Sequence, residues 1–249
     1  MTSAPRYVTH GRMDELHALA RPHTDSPFEL TFILLSQVKE LLFRVVYVEL
    51  DQARRHLVTD QPETAARALT RAVRTVRVLT AAWDAFTGMS PDEFLSFRHV
   101  LEGASGIQSP MYRRLEFILG NRDSAALALS ADTLAAYPEL RQELSEPSLY
   151  DEVLRFLGRR AALPSGDDAE RLWVRIYREP DRYPVEHRLA ELLTDIAYEF
   201  SRWRATHLLV VERMLGRKRG TGGTTGVEWL RRVSEHRFFP ELWSARTLL

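Results

Sequence analysis

Three features of this sequence predict an all-α fold. Residues 28–57 contain neither proline nor glycine and place apolar side chains at Leu30, Ile33, Leu34, Val38, Leu41, Leu42, Val45 and Val48, the spacing of an amphipathic helix. Helix-start signals recur, as in Asp25-Ser26-Pro27 and Ser90-Pro91-Asp92-Glu93. No alternation of strands with helices is visible, and strand-like runs such as Arg44 to Val48 sit inside longer helical periodicity.

The elements follow in order. A second long helix is expected over residues 63–86, ending near Gly88. Ser90 then caps a short helix with Pro91 at its first position. Residues 109–119 form another helix, closed by Gly120-Asn121, and shorter pieces are expected around 124–133, 138–145 and 148–158. Residues 164–168 read as a surface loop. Helix resumes at about 168–177, and a long helix runs from Val185 to about Leu215. A glycine-rich loop, Gly220 to Gly226, leads into a last helix from Val227. The chain has no internal repeat at a fixed period, and residues 1–249 are expected to form one helical-bundle domain, with 1–24 as an N-terminal arm.

Composition excludes several function classes. The 249 residues contain no cysteine, which removes disulfides, iron–sulfur centres, thiolate-ligated haem and cysteine nucleophiles. Thirty-four Lys and Arg balance 34 Asp and Glu, so the overall charge offers no basic excess for nucleic acid. With no signal-peptide pattern and no long uncharged run, the chain is expected to be cytoplasmic and not to bind membranes. The 45% apolar content is ample for a core.

Three local features could carry chemistry. The glycine-rich loop fits neither a dinucleotide fingerprint nor a P-loop, because it follows a helix and lacks the required spacing. It reads either as a flexible turn or as a loop holding an anion ahead of a helix N-terminus. His207 lies on the face of its helix shared by Trp203, Val210, Val211 and Met214. It is either a hydrogen-bonded core histidine or an axial haem ligand. The other seven histidines form no cluster, which disfavours a zinc hydrolase. Arg113 shares a helix side with Glu116 and Phe117 and is either an ordinary surface arginine or a semi-buried carboxylate clamp.

Four sequence blocks resemble the tryptophan 2,3-dioxygenase family, within the histidine-ligated haem-dependent aromatic oxygenases. Ser105-Gly106-Ile107-Gln108-Ser109 with Tyr112-Arg113 resembles the family's SGFQSxQxR segment. Arg202-Trp203-Arg204, His207 and the run Gly220-Thr221-Gly222-Gly223-Thr224-Thr225-Gly226 resemble its WRxxH helix and GTGGSSG loop. The resemblance implies a bundle of long helices enclosing haem b, with O₂ as co-substrate and His207 as the proximal iron ligand beside Trp203. It further implies that Arg113 holds the amino-acid carboxylate and that Thr221 contacts the ammonium and carboxylate. Phe32 would pack against the indole, Tyr112 would flank the substrate, and Gly222 would let the loop close. The assembly implied is a homo-oligomer, most readily a tetramer.

Two departures stand out. The family's LFIxxHQxxELW helix is here Phe32-Ile33-Leu34-Leu35-Ser36-Gln37-Val38-Lys39-Glu40-Leu41-Leu42, so Ser36 occupies the distal histidine position. Phe32 and Ser36 still share a face, which retains the pocket with one polar group shortened. The family's YxxYL becomes Tyr7-Val8-Thr9-His10-Gly11, placing His10 where a tyrosine reaches a neighbouring subunit's pocket. The last block, Leu230-Arg231 with Val233-Ser234 and Arg237, resembles LRxTVSDRY with a residue missing, and the middle of the chain is shorter than usual. The expected activity is haem-dependent oxygenation of the indole of L-tryptophan or a modified tryptophan, giving an N-formylkynurenine-like product. Alternatives are a haem monooxygenase of a tryptophan or tyrosine derivative in natural-product biosynthesis, and a non-catalytic haem-binding helical protein.

Overall fold

The computed structural model of the chain describes residues 4–122, 127–128, 131–160, 169–216, 218, 220 and 226–249. Among these the regular structure is all helical. Two short helices, α1 (Arg6–Gly11) and α2 (Met13–Ala18), make up the N-terminal arm, and neither buries a side chain. The arm's helices are not expected from the sequence pattern, because six residues are too few to display a period.

Three long helices form the frame: α3 (Pro27–Val58), α4 (Pro62–Ala81) and, late in the chain, the helix Pro184–Leu215. Each of the two 32-residue helices is about 48 Å long. Between α3 and α4, Asp60 adopts φ 54 and the Gln61 N–H donates to the His56 carbonyl at 2.8 Å, which turns the chain back as an antiparallel hairpin. The facing sides are dense and apolar: Val46, Leu50, Ala53 and Leu57 of α3 meet Ala65, Ala68, Leu69, Ala72 and Val76 of α4. Alanines along α4 let the two backbones approach closely.

One prediction is corrected here. The helix expected over 63–86 is interrupted: α4 stops at Ala81, and a separate short helix, α5 (Asp84–Thr87), follows. At the break the Trp83 N–H donates to the Thr80 carbonyl, an i→i−3 bond that tightens the turn and re-aims the indole inward. Sequence periodicity could not show this, because Trp83 and Phe86 are apolar in either conformation.

The starts at Ser90 and Ser109 agree with the sequence, whereas the piece expected around 124–133 has its described helix at Ala131–Ala136. In α6 (Pro91–Arg98), Ser90 and Glu93 form a reciprocal capping box. Helix α7 (Pro110–Ile118) is capped by the Ser109 hydroxyl, which accepts from the Tyr112 N–H at 3.0 Å, and ends before Gly120 at φ 90. Next come α8 (Ala131–Ala136), α9 (Pro138–Ser145), α10 (Leu149–Arg160) and α11 (Ala169–Arg178). The long helix Pro184–Leu215 is α12; after it come α13 (Val227–Glu235) and α14 (Pro240–Thr247), the last of which the sequence pattern does not announce. The loop expected at 164–168 lies outside the described residues.

Helix α12 packs on α4 and α13, and α3 packs on α4, α7 and α10, so α3 and α12 stand on either side of a hollow roofed by α5, α6 and α7. No helix among the described residues is long and apolar enough to cross a membrane.

Candidate active site

The hollow has a volume of about 540 Å³, within the usual range of small-molecule and cofactor pockets. Phe32, Ser36, Lys39, Glu40 and Phe43 reach it from α3, successive turns of one helix face. Trp203, Arg204, His207, Val210, Val211 and Met214 reach it from α12, the face the 3.6-residue period marks out. Trp83 and Phe86 enter from the break after α4, and Tyr112 and Arg113 from the first turn of α7.

At the α12 wall, the imidazole of His207 stacks on the indole of Trp83, centroids 4.3 Å apart and planes 7° from parallel. No hydrogen bond to either ring nitrogen of His207 is found among the described residues, which counts against the hydrogen-bonded core reading. Burial, followed by the nearby Lys39 ammonium, pushes its pKa down to about 3. The imidazole is therefore neutral at physiological pH and presents an uncommitted lone pair to the cavity. Trp203, Phe43 and Tyr112 form a ring cluster beside it, with centroids 5.3–5.5 Å apart.

At the α7 wall, Arg113 is 3% exposed, which overturns the surface reading. Its Nη1 stands 2.6 Å from Glu116 Oε2, and Arg204 of α12 places Nη2 3.2 Å from Glu116 Oε1. Arg204 also donates to the Tyr112 hydroxyl at 3.0 Å and to the His236 carbonyl at 3.1 Å. Burial pushes the Tyr112 phenol up to about 12, so it remains protonated. One carboxylate thus holds two buried guanidiniums, leaving positive charge at this end of the cavity. Glu40 fixes α7 from the opposite helix: its carboxylate accepts from the Ser109 hydroxyl at 2.7 Å and from the Met111 N–H at 3.2 Å. That anchor sets the height of Arg113 relative to α3.

Phe32 packs within 5.8 Å, centroid to centroid, of Phe86, Phe94 and Phe97, edge-on to the first and tilted to the others, giving the α3 side an apolar wall. Ser36 lies one turn further along.

Trp83 Nε1, Trp203 Nε1 and Arg113 Nε are buried N–H donors with no acceptor among the described residues. Leaving a buried donor unpaired costs about 1–3 kcal/mol, so three at one cavity suit a ligand that brings acceptors to this wall. An uncommitted neutral imidazole, apolar walls and unpaired donors fit a histidine-ligated haem, with its carboxylates, together with an amino acid.

Tyr7 and His10 stand on α1 and do not line this cavity; Tyr7 is 76% exposed. Thr221 and Gly222 lie outside the described residues, although the flanking Gly220 and Gly226 both line the cavity. Lys39, Glu40, Trp83, Arg204 and Glu116 were not singled out by the sequence reading as site residues. Lys39, Glu40 and Arg204 lie inside the blocks quoted for the resemblance, Lys39 at a position the family pattern leaves open, whereas nothing local distinguishes Trp83. Among the described residues no His, Asp or Glu cluster could hold a bare metal ion.

The family model described as tryptophan 2,3-dioxygenase matches residues 2–131 and 138–249. The chain belongs to the tryptophan 2,3-dioxygenase family. Relatives named tryptophan 2,3-dioxygenase include one from Bordetella parapertussis, 37% identical over 97% of this chain and 90% of its own length. One from Erythrobacter litoralis is 37% identical over 98% of each chain. One from Bradyrhizobium diazoefficiens is 39% identical over 100% of this chain and 95% of its own. The match runs through all the long helices of this family member, so its cavity is built from segments shared with those proteins.

Proposed function

We propose that the cavity between α3 and α12 is where this chain cleaves the indole ring of L-tryptophan with O₂, on a haem held by His207. Membership of the family makes the chain a haem-dependent dioxygenase of tryptophan. Both oxygen atoms are then retained and the C2–C3 bond opens to N-formylkynurenine. The observation that carries the residue assignment is the uncommitted His207 imidazole, opening on the same cavity as Arg113 and Phe32.

Haem supplies the oxygen chemistry when bound, and the protein's part is to bind, orient and exclude water. His207, neutral and stacked on Trp83, would hold the haem iron, with Trp203 packed beside it. Phe32 and its ring neighbours offer a face for the indole. Arg113 is oriented by Glu116 through Nη1 and keeps Nε open, so it can meet the amino-acid carboxylate without losing its internal partner. Tyr112 stays protonated and is fixed by Arg204. Thr221 and Gly222, which fall in sequence between the cavity residues Gly220 and Gly226, are assigned to the amino-acid end as the resemblance implies. Ser36 stands where the indole N–H and O₂ would meet a polar group.

Assembly is part of the reading. Leu30, Leu34, Val38, Leu41, Val45 and Val48 are 38–48% exposed and recur at three- and four-residue steps along the outer side of α3. Such a seam suits a helix of a second copy. A homotetramer in which α1 delivers Tyr7 and His10 to a neighbour's cavity gives that exposed arm a role.

The test is hemin and tryptophan titration followed by the Soret band. Wild type should bind about one hemin per chain. His207→Ala should lose it or change its ferric spectrum, while Arg113→Ala should keep hemin but weaken L-tryptophan by tens-fold, as expected for about 2–5 kcal/mol of buried charge pairing. Binding of hemin by His207→Ala with an unaltered spectrum would refute the ligand assignment.

A further inference from the structure

Lys39 is the cation in the cavity that the reading above leaves without a task. It lies one turn after Ser36 on the inward face of α3. Its Nζ sits 3.9 Å from the centre of the Trp83 ring and 4.3 Å from that of Phe86, and it has neither an ion pair nor a hydrogen bond among the described residues. The neighbouring carboxylate cannot serve it, because Glu40 is occupied by Ser109 and Met111 of α7. Glu116 is shared by Arg113 and Arg204. An ammonium held only by two aromatic faces is under-compensated for its loss of water. Burial accordingly pushes its pKa down to about 7, a direction that an anion at the same place would reverse.

Trp83 carries Lys39 and His207 against the same ring system, so ammonium and imidazole are separated by no more than one indole and its two contacts. Trp83 Nε1 and Trp203 Nε1, both on cavity residues, add unpaired donors to this wall. The amino-acid carboxylate already has Arg113 on α7. A second carboxylate, presented by a group that sits on His207, fits the Lys39 side.

We propose that Lys39 is a carboxylate anchor of the cofactor site, its ammonium pairing with a propionate of the haem held by His207. The proposal rests on the haem reading. It makes the Ser36-Gln37-Val38-Lys39 turn a unit in which the shortened side chain leaves room and the long one, one turn on, binds the cofactor's charged edge.

The experiment titrates the apoprotein with hemin and with hemin dimethyl ester, whose propionates are neutral, for wild type, Lys39→Met and Lys39→Arg. Wild type should prefer hemin to the ester. Lys39→Met should lose about tenfold or more of that preference, the size of one charge-assisted hydrogen bond, and Lys39→Arg should restore most of it. Discrimination between L-tryptophan and tryptamine should stay as in wild type in all three, because Arg113 governs it. Thermal melts of the apoproteins check folding, and Met fills the same apolar channel as the lysine stem. Equal hemin preference in wild type and Lys39→Met would overturn the proposal. So would a loss confined to the tryptophan–tryptamine discrimination, which would mean that the cation serves the amino acid. A wild type that binds hemin in neither form would remove the haem reading itself.

Discussion

Ser36 lines the cavity between Phe32 and Lys39, and no hydrogen bond holds its hydroxyl among the described residues. An imidazole there would reach further across the hollow and fix the indole N–H relative to O₂; serine leaves a gap of a few heavy atoms. A misplacement of about 1 Å can cost on the order of 10²-fold in rate. Ser36→His should therefore tighten L-tryptophan and raise its turnover toward that factor, while impairing a ring-methylated tryptophan that uses the gap. Product mass under ¹⁸O₂, with both substrates and both proteins, reads the outcome. Unchanged rates would make Ser36 a neutral replacement. At this scale Phe32, Ser36, His207 and Arg113 enter as site candidates through the family resemblance; the apolar period alone puts His207 on the face of Trp203 and Val210 and leaves Arg113 open between surface and semi-buried. Lys39 does not enter among them, since a lysine at the edge of an apolar stripe more often extends its amine to solvent.

At the scale of elements, the cavity depends on polar ties that cross between helices. Arg204 binds α12 to α7 through Tyr112 and Glu116, and Glu40 binds α3 to the start of α7. Glu116 is 3% exposed and faces two guanidiniums, so replacing it leaves buried positive charge without a counter-ion. Glu116→Gln should lower stability by about 3–5 kcal/mol, measured by urea denaturation of the apoprotein. A loss below about 1 kcal/mol would mean that water reaches the pair and screens it. The same scale shows where local reading stops. Caps at Ser90 and Ser109 are visible in sequence because their chemistry is contained within four residues. The break at Ala82–Trp83 is not, because it answers to the position of α12, whose His207 stacks on the displaced indole.

For the whole molecule, one helix serves two environments. Helix α3 gives its inner face to the cavity and core and exposes a seam of leucine and valine on the outside. Leu41 is 48% exposed and Val45 47%, so changing them leaves the core of one chain intact. On the proposed assembly, the double variant Leu41→Glu, Val45→Glu should give smaller species than wild type in light scattering and weaken L-tryptophan binding, because α1 would no longer reach a neighbour. An unchanged mass would assign the seam to some other contact.

The sequence by itself determined the helices, most of their ends and the side of each that turns inward, because propensity, capping and the 3.6-residue period act over a few neighbouring residues. It also determined the family, through blocks on α3, α7 and α12 and the loop after it. Only the tertiary structure decided that Trp83 leaves its helix to meet His207, that a single Glu116 serves both Arg113 and Arg204, and that Lys39 stands in the cavity against Trp83 and Phe86 with no ion pair among the described residues. The contacts Lys39–Trp83, Glu116–Arg204 and Trp83–His207 join residues 44, 88 and 124 positions apart, brought together by how α3, α4, α7 and α12 pack, and no local pattern encodes them.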